Sequence, residues 1–120
     1  MMLGHVRDGF PRLVMPLPSA RGSVQVEFIL DTGFDGELAL PHFLLQQLDV
    51  VFAGNRAVRL ADGTQLNRPY YIITFAWNNG LRQTEVIGLE GQPLIGVELL
   101  AGFLIQIEMQ DGGEVSMEEI

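Results

Sequence analysis

The stretch LDTGFDGELAL places an aspartate, Asp31, at the end of an apolar run, followed by Thr32, Gly33 and a second acid, Asp35. A lone carboxylate with an ordinary pKa of about 3.9 is a weak base and a poor catalyst. Two carboxylates about 3 Å apart cannot both ionise cheaply, so they share one proton and titrate as a pair. The ionised member can take a proton from a bound water while the protonated member supports a carbonyl oxygen. Such a pair needs neither metal nor cofactor. Gly33 lets backbone approach without a Cβ in the way, and the Thr32 hydroxyl can bond to a facing loop and hold a carboxylate in register. Asp35 could accept a hydrogen bond from an extended peptide. The same letters also suit an ordinary bend capped by Asp31, and Asp35 could simply pair with Arg12, Arg56 or Arg59.

The elements that must position these groups read mostly as short strands. Val24, Val26, Phe28 and Leu30 alternate with Gln25, Glu27 and Ile29, which predicts a strand that delivers Asp31 on its more polar side. A strand is expected over 12–17, closed by a turn in PSARG. PHFLLQQL at 41–48 predicts a short helix with Pro41 in its first turn and Phe43, Leu44 and Leu48 on one face. Residues 57–77 read as two strands around a tip at Ala61-Asp62-Gly63-Thr64, and Asn78-Asn79-Gly80 as a hairpin before a strand in 81–89. Leu94, Ile95 and Gly96 form a buried run before a helical turn that closes at Gly102. Phe103, Ile105, Ile107 and Met109 alternate, DGG turns the chain, and Val115 and Met117 are expected on an edge strand before a solvated MEEI tail. Trp77, Tyr70 and Tyr71 fit a β core better than a binding stripe. Residues 1–120 are thus expected to form one all-β domain, a small barrel with one or two short helices.

Composition narrows the partners. The net charge is −8, all seven cations are arginines, and there is no lysine. A phosphate backbone would be repelled, so nucleic acid is an unsuitable partner. There is no cysteine, hence no disulfide or thiolate site, and His5 and His42 lack metal-ligand spacing. No run approaches the roughly 20 apolar residues of a membrane helix, and the first residues lack a long apolar leader. A soluble cytoplasmic protein without membrane partner, metal or cofactor is the expectation.

Taken in order, Asp31-Thr32-Gly33 after an apolar strand, a hairpin around Ala61 to Thr64, and Leu94-Ile95-Gly96 before VELL resemble the retropepsin-like aspartic proteases over nearly the whole chain. The resemblance implies a retropepsin-like acid-protease barrel and an aspartic endopeptidase. One Asp-Thr-Gly per chain implies half a dyad, completed by a second copy on a two-fold axis, with interleaved chain termini at the interface. It further implies that Asp31 is the acid/base half, Thr32 its brace, and that Gly33, Asp35, Ala61, Asp62, Gly63 and Thr64 hold a peptide backbone. Ile95 and Gly96 would border side-chain pockets. The pattern departs at Phe34, where retroviral enzymes usually carry alanine, and at the tip, with one glycine and an acidic Asp62. The charged C-terminus implies a weaker terminal interface strand. A dimer of the same fold that binds peptide without cleaving it is the alternative.

Overall fold

The computed structural model describes residues 1–120. Alternation and turn chemistry produce ten strands: β1 (Met2–Arg7), β2 (Phe10–Ser19), β3 (Gly22–Leu30), β4 (Leu38–Leu40), β5 (Val51–Arg59), β6 (Gln65–Trp77), β7 (Gly80–Gly88), β8 (Leu94–Ile95), β9 (Phe103–Ile107) and β10 (Glu114–Glu119). Two single-turn helices, α1 (His42–Leu45) and α2 (Val97–Leu100), complete the chain. The fold is mostly β, as the sequence predicts. The strands form one ladder, β5-β6-β7-β4-β8-β3-β2-β1-β10-β9, whose two ends are β5 and β9.

Local chemistry explains the corners. Asn78 and Asn79 both take positive φ, 47° and 70°, the requirement of the tight turn that joins β6 to β7. Asp8 and Gly9 do the same between β1 and β2, at 53° and 81°. Gly102 closes α2 at φ +87°, the left-handed stop expected of a helix C-terminus.

Val26, Phe28 and Leu30 of β3 enter the main core with Leu13, Met15 and Leu17 of β2, Ile73, Phe75 and Trp77 of β6, and Val86 of β7. Each fully buried side chain of this size contributes roughly 1.5–3 kcal/mol relative to exposure. Trp77 packs against Phe75 and Phe103, with ring centroids at 6.0 and 5.6 Å, so it belongs to the core.

Two expectations need correction, and a third observation concerns the N-terminus. Helix α1 buries Leu45, with Leu48 just beyond it, while Phe43 is exposed and Pro41 is the cap residue rather than the first helical one. Strand β10 is not an edge, and MEEI, solvated from Glu118 to Ile120, belongs to β10 up to Glu119 with Met117 buried. Val115 and Met117 are fully buried, and Glu118 and Glu119 lie opposite Leu104 and Phe103. The N-terminal strand is also used within the chain, because β1 pairs with β10 from Met2↔Met117 to His5↔Glu114 and with β2. The terminal strands therefore find their partners in their own chain, which leaves β9 as the free edge at that end of the sheet.

Candidate functional site

The loop at Asp31 is held by main-chain bonds rather than by side chains. Strand β8 runs parallel to β3, with Leu30 opposite Ile95, and antiparallel to β4. The Asp31 N–H donates to the Ile95 carbonyl at 2.9 Å, and the Phe34 N–H donates back to the Asp31 carbonyl at 3.1 Å. Beyond the loop, Gly96 N–H donates to Glu37, Val97 N–H to Phe34 and Glu98 N–H to Gly36, at 2.9 to 3.1 Å. The two sequence segments, 31–37 and 94–98, are thereby welded into one unit. Asp31 and Ile95, distant in sequence, are thereby neighbours.

Within the loop, Asp31 Oδ1 accepts the Gly33 N–H at 2.9 Å. This is the local turn bond that Asp-Thr-Gly makes readily. It fixes the carboxylate's orientation, and the other oxygen makes no hydrogen bond within the chain. Asp31 is half-buried, whereas Thr32 and Gly33 are exposed. The Thr32 hydroxyl likewise has no partner in its own chain. The geometry is that of a local turn, and it leaves the second carboxylate oxygen free.

The tip between β5 and β6 is a compact turn. Leu60 N–H donates to Thr64 and Gly63 N–H to Leu60, both at 2.9 Å, with Gly63 at φ +87°. Asp62 Oδ1 accepts the Thr64 N–H at 2.9 Å, and its carboxyl is held below the usual range by hydrogen bonds from Thr64, the side-chain contribution first. Asp62 therefore serves its own turn. The tip reaches the Asp-Thr-Gly loop: a Cβ built on Gly33 would lie 2.8 Å from Ala61 Cβ and 3.3 Å from Asp31 Oδ1. Ala61 and Asp31 consequently flank the same bare glycine.

Asp35 is exposed and forms no ion pair. Its suggested arginine partners are engaged elsewhere or free: Arg12 with Glu27, Arg56 with Glu85, and Arg59 with no carboxylate. It borders a polar hollow of about 210 Å³ together with Glu37, Arg56, Glu85 and Glu98. A larger hollow of about 590 Å³ lies elsewhere, between Leu3, Val14 and the Trp77–Leu81 turn, and includes neither Asp31 nor the tip. Ile95 and Gly96 are both buried. They support the loop from behind and do not form an open pocket wall in the single chain.

The residue whose role sequence reasoning missed is Phe34. It is 1% exposed and forms a small second core with Ala39, Val58 and Ile87, against which Leu60 and Tyr70 pack. It does not project into the space above Asp31. The available signal was a large apolar residue in a loop otherwise made of Gly, Asp and Thr, matched by apolar Val58 and Leu60 on alternate positions near the tip.

No family model, curated protein or solved structure matches this chain. No helix is long and apolar enough to cross a membrane.

Proposed function

We propose that the chain is an aspartic endopeptidase of retropepsin-like type that works as a homodimer, one Asp31 coming from each copy. The observation that carries this reading is the main-chain weld of the Asp31-Thr32-Gly33 loop to Leu94-Ile95-Gly96, with the tip at Ala61 lying over the glycine. In the dimer the two carboxylates share one proton. The ionised one takes a proton from water as its oxygen attacks the peptide carbonyl carbon, and the protonated one gives its proton to the carbonyl oxygen. Collapse of the tetrahedral intermediate breaks the C–N bond, and the leaving nitrogen takes up a proton. The free hydroxyl of Thr32 suits a brace to the twin loop, and the exposed faces of Thr32 and Gly33 suit an approach by that loop. An extended peptide would pair with the backbone of the loop and the tip.

The ladder has two free edges, β5 and β9, and the edge of β9 is the one we assign to the second copy. Its flank exposes Leu104 and Ile107, with Met109 just beyond. The test is cleavage of an unstructured protein substrate across acidic to neutral pH by the native chain and by Asp31→Asn. Loss of cleavage in a folded variant is the expected result. Cleavage that survives the substitution would overturn the reading, and binding without cleavage by the native chain would favour the non-catalytic dimer.

A further inference from the structure

Two glycines beside the Asp-Thr-Gly loop leave room for one ring. A Cβ on Gly36 would meet Phe34 Cζ at 2.8 Å, and a Cβ on Gly96 would meet Phe34 Cδ2 at 2.6 Å and the Gly36 carbonyl oxygen at 2.3 Å. The ring is thus clamped in place, and it belongs to the same rigid unit as Asp31, because the Phe34 N–H donates to the Asp31 carbonyl and the Phe34 carbonyl accepts from Val97. Val58, 3% exposed, shares a small core with this ring, and the half-buried Leu60 packs against that core. Val58 near the end of β5 and Leu60 just beyond it, two residues apart, both reach the core that holds Phe34. The next residue is Ala61, whose Cβ lies over Gly33. Apart from this support the tip is exposed from Ala61 to Asn67, and its hydrogen bonds are internal, which lets it move as a unit.

We infer that Phe34 is a latch: by holding Val58 and Leu60 it keeps the tip of its own chain down on the Asp-Thr-Gly loop, so the free chain is self-capped and an incoming peptide must lift the tip. Only the gating consequence rests on the peptide-cleaving reading; the latch itself is a property of the chain. Ala61 fills the space beside Asp31 and Gly33 through which a peptide backbone would have to pass. Phe34 is here a positioning residue that acts through the tip and does not touch the reacting atoms.

The experiment uses the full chain and needs no substrate. In the native protein, nuclear Overhauser contacts should join the Ala61 methyl to the Gly33 α protons, and the amides of residues 61–63 should have order parameters near the rigid value of about 0.85. Leu60→Ala, which removes the latch's exposed half and leaves the buried ring in place, should abolish the contact and lower those order parameters below about 0.6. Phe34→Ala should do the same where it folds, while Phe34→Leu, which still fills the clamp, should retain the contact. The latch is refuted if the native chain lacks the contact, or if Leu60→Ala leaves contact and order unchanged. A chain that cleaves nothing yet shows this pattern loses only the protease reading. One that cleaves in an Asp31-dependent way with a tip indifferent to Leu60 loses only the latch.

Discussion

The amide of Asp31 donates to the carbonyl of Ile95 at 2.9 Å, joining two segments more than sixty residues apart at the point where the candidate chemistry sits. The bond belongs to the backbone, so the position of the carboxylate does not depend on its charge. Asp31→Asn keeps an oxygen for the Gly33 N–H and a side chain of the same shape. Its melting temperature should stay within about 2 °C of the native value, less than about 1 kcal/mol in a chain this size. Any peptide cleavage should fall at least about a thousandfold if the proposed dyad performs it, because Asn cannot share the proton. Thermal melts and a cleavage time course on the same samples check both halves.

Gly96 tests how tightly the weld is packed. An added methyl would lie 2.3 Å from the Gly36 carbonyl oxygen and 2.7 Å from that of Phe34, and backbone atoms cannot rotate aside. Gly96→Ala should cost about 3 kcal/mol or more in urea unfolding. Gly80→Ala, where nothing lies within 4 Å and φ is not positive, should stay within about 1 kcal/mol of the native chain. Equal costs at the two sites would show that the weld yields to an added methyl.

At Gly33 the obstruction is the methyl of Ala61. Gly33→Ala should therefore cost about 1–2 kcal/mol, spent on displacing the tip. Ala61→Gly should return most of that in the double variant. A double-mutant cycle in urea reads the coupling directly, and a value near zero would mean the tip does not rest on the loop in solution.

Acid should weaken the charged cluster on β1, β2 and β3. Glu27 of β3 sits among Arg7, Arg12 and His5; it pairs with Arg7, and Arg12 Nη1 lies 3.4 Å from its carboxylate. The hydrogen bond from Arg7, outweighing the opposing effect of burial, holds the Glu27 carboxyl below its ordinary value of 4.5. A carboxylate depressed in the folded state adds stability that is fully present above the unfolded pKa and is lost as pH falls through the lower folded one. The gap between native chain and Glu27→Gln should be about 1 kcal/mol at pH 7, modest because Arg7 is half exposed. It should shrink steadily below about pH 4.5. Urea midpoints at pH 7, 4.5 and 3 measure it, and a gap that widens with acid would reverse the assignment.

Much of this arrangement could be read from the residues, for reasons that differ by element. Alternation through Val24, Val26, Phe28 and Leu30 fixes β3 and the face on which Asp31 leaves it, because strand periodicity is local. Asn78-Asn79-Gly80 fixes a hairpin because positive φ is a local demand that few residues meet. What was not legible depends on partners. Whether β10 is an edge is decided by β1, which finds Val115 and Met117 from the other end of the chain. The same β-compatible sequence would serve at an edge or an interior position. The β1–β2 turn at Asp8-Gly9 was not read from the sequence, although both residues take positive φ like the asparagines, and pairing within the chain rather than with another copy is a tertiary choice. Phe34 was legible only as an anomaly, since its meaning lies in Gly36, Gly96, Val58 and Leu60 converging around it.

That tertiary choice leads to the last expectation. With β1 and β10 satisfied internally, β9 keeps one row of unpaired backbone groups, and no proline, lysine or bulge protects it. Edges of this kind pair with further strands unless blocked. Leu104, 51% exposed on β9, should then be covered by a second copy if the proposed dimer forms there. Sedimentation should give a dimer at micromolar concentration, and Leu104→Glu, which brings two like charges together across a two-fold axis, should raise its Kd at least about tenfold. Cleavage should fall in parallel at low protein concentration and recover as concentration rises, because each Asp31 depends on the other. A native chain that sediments as a monomer throughout would remove the shared site, and a variant that dimerises normally would move the interface away from β9.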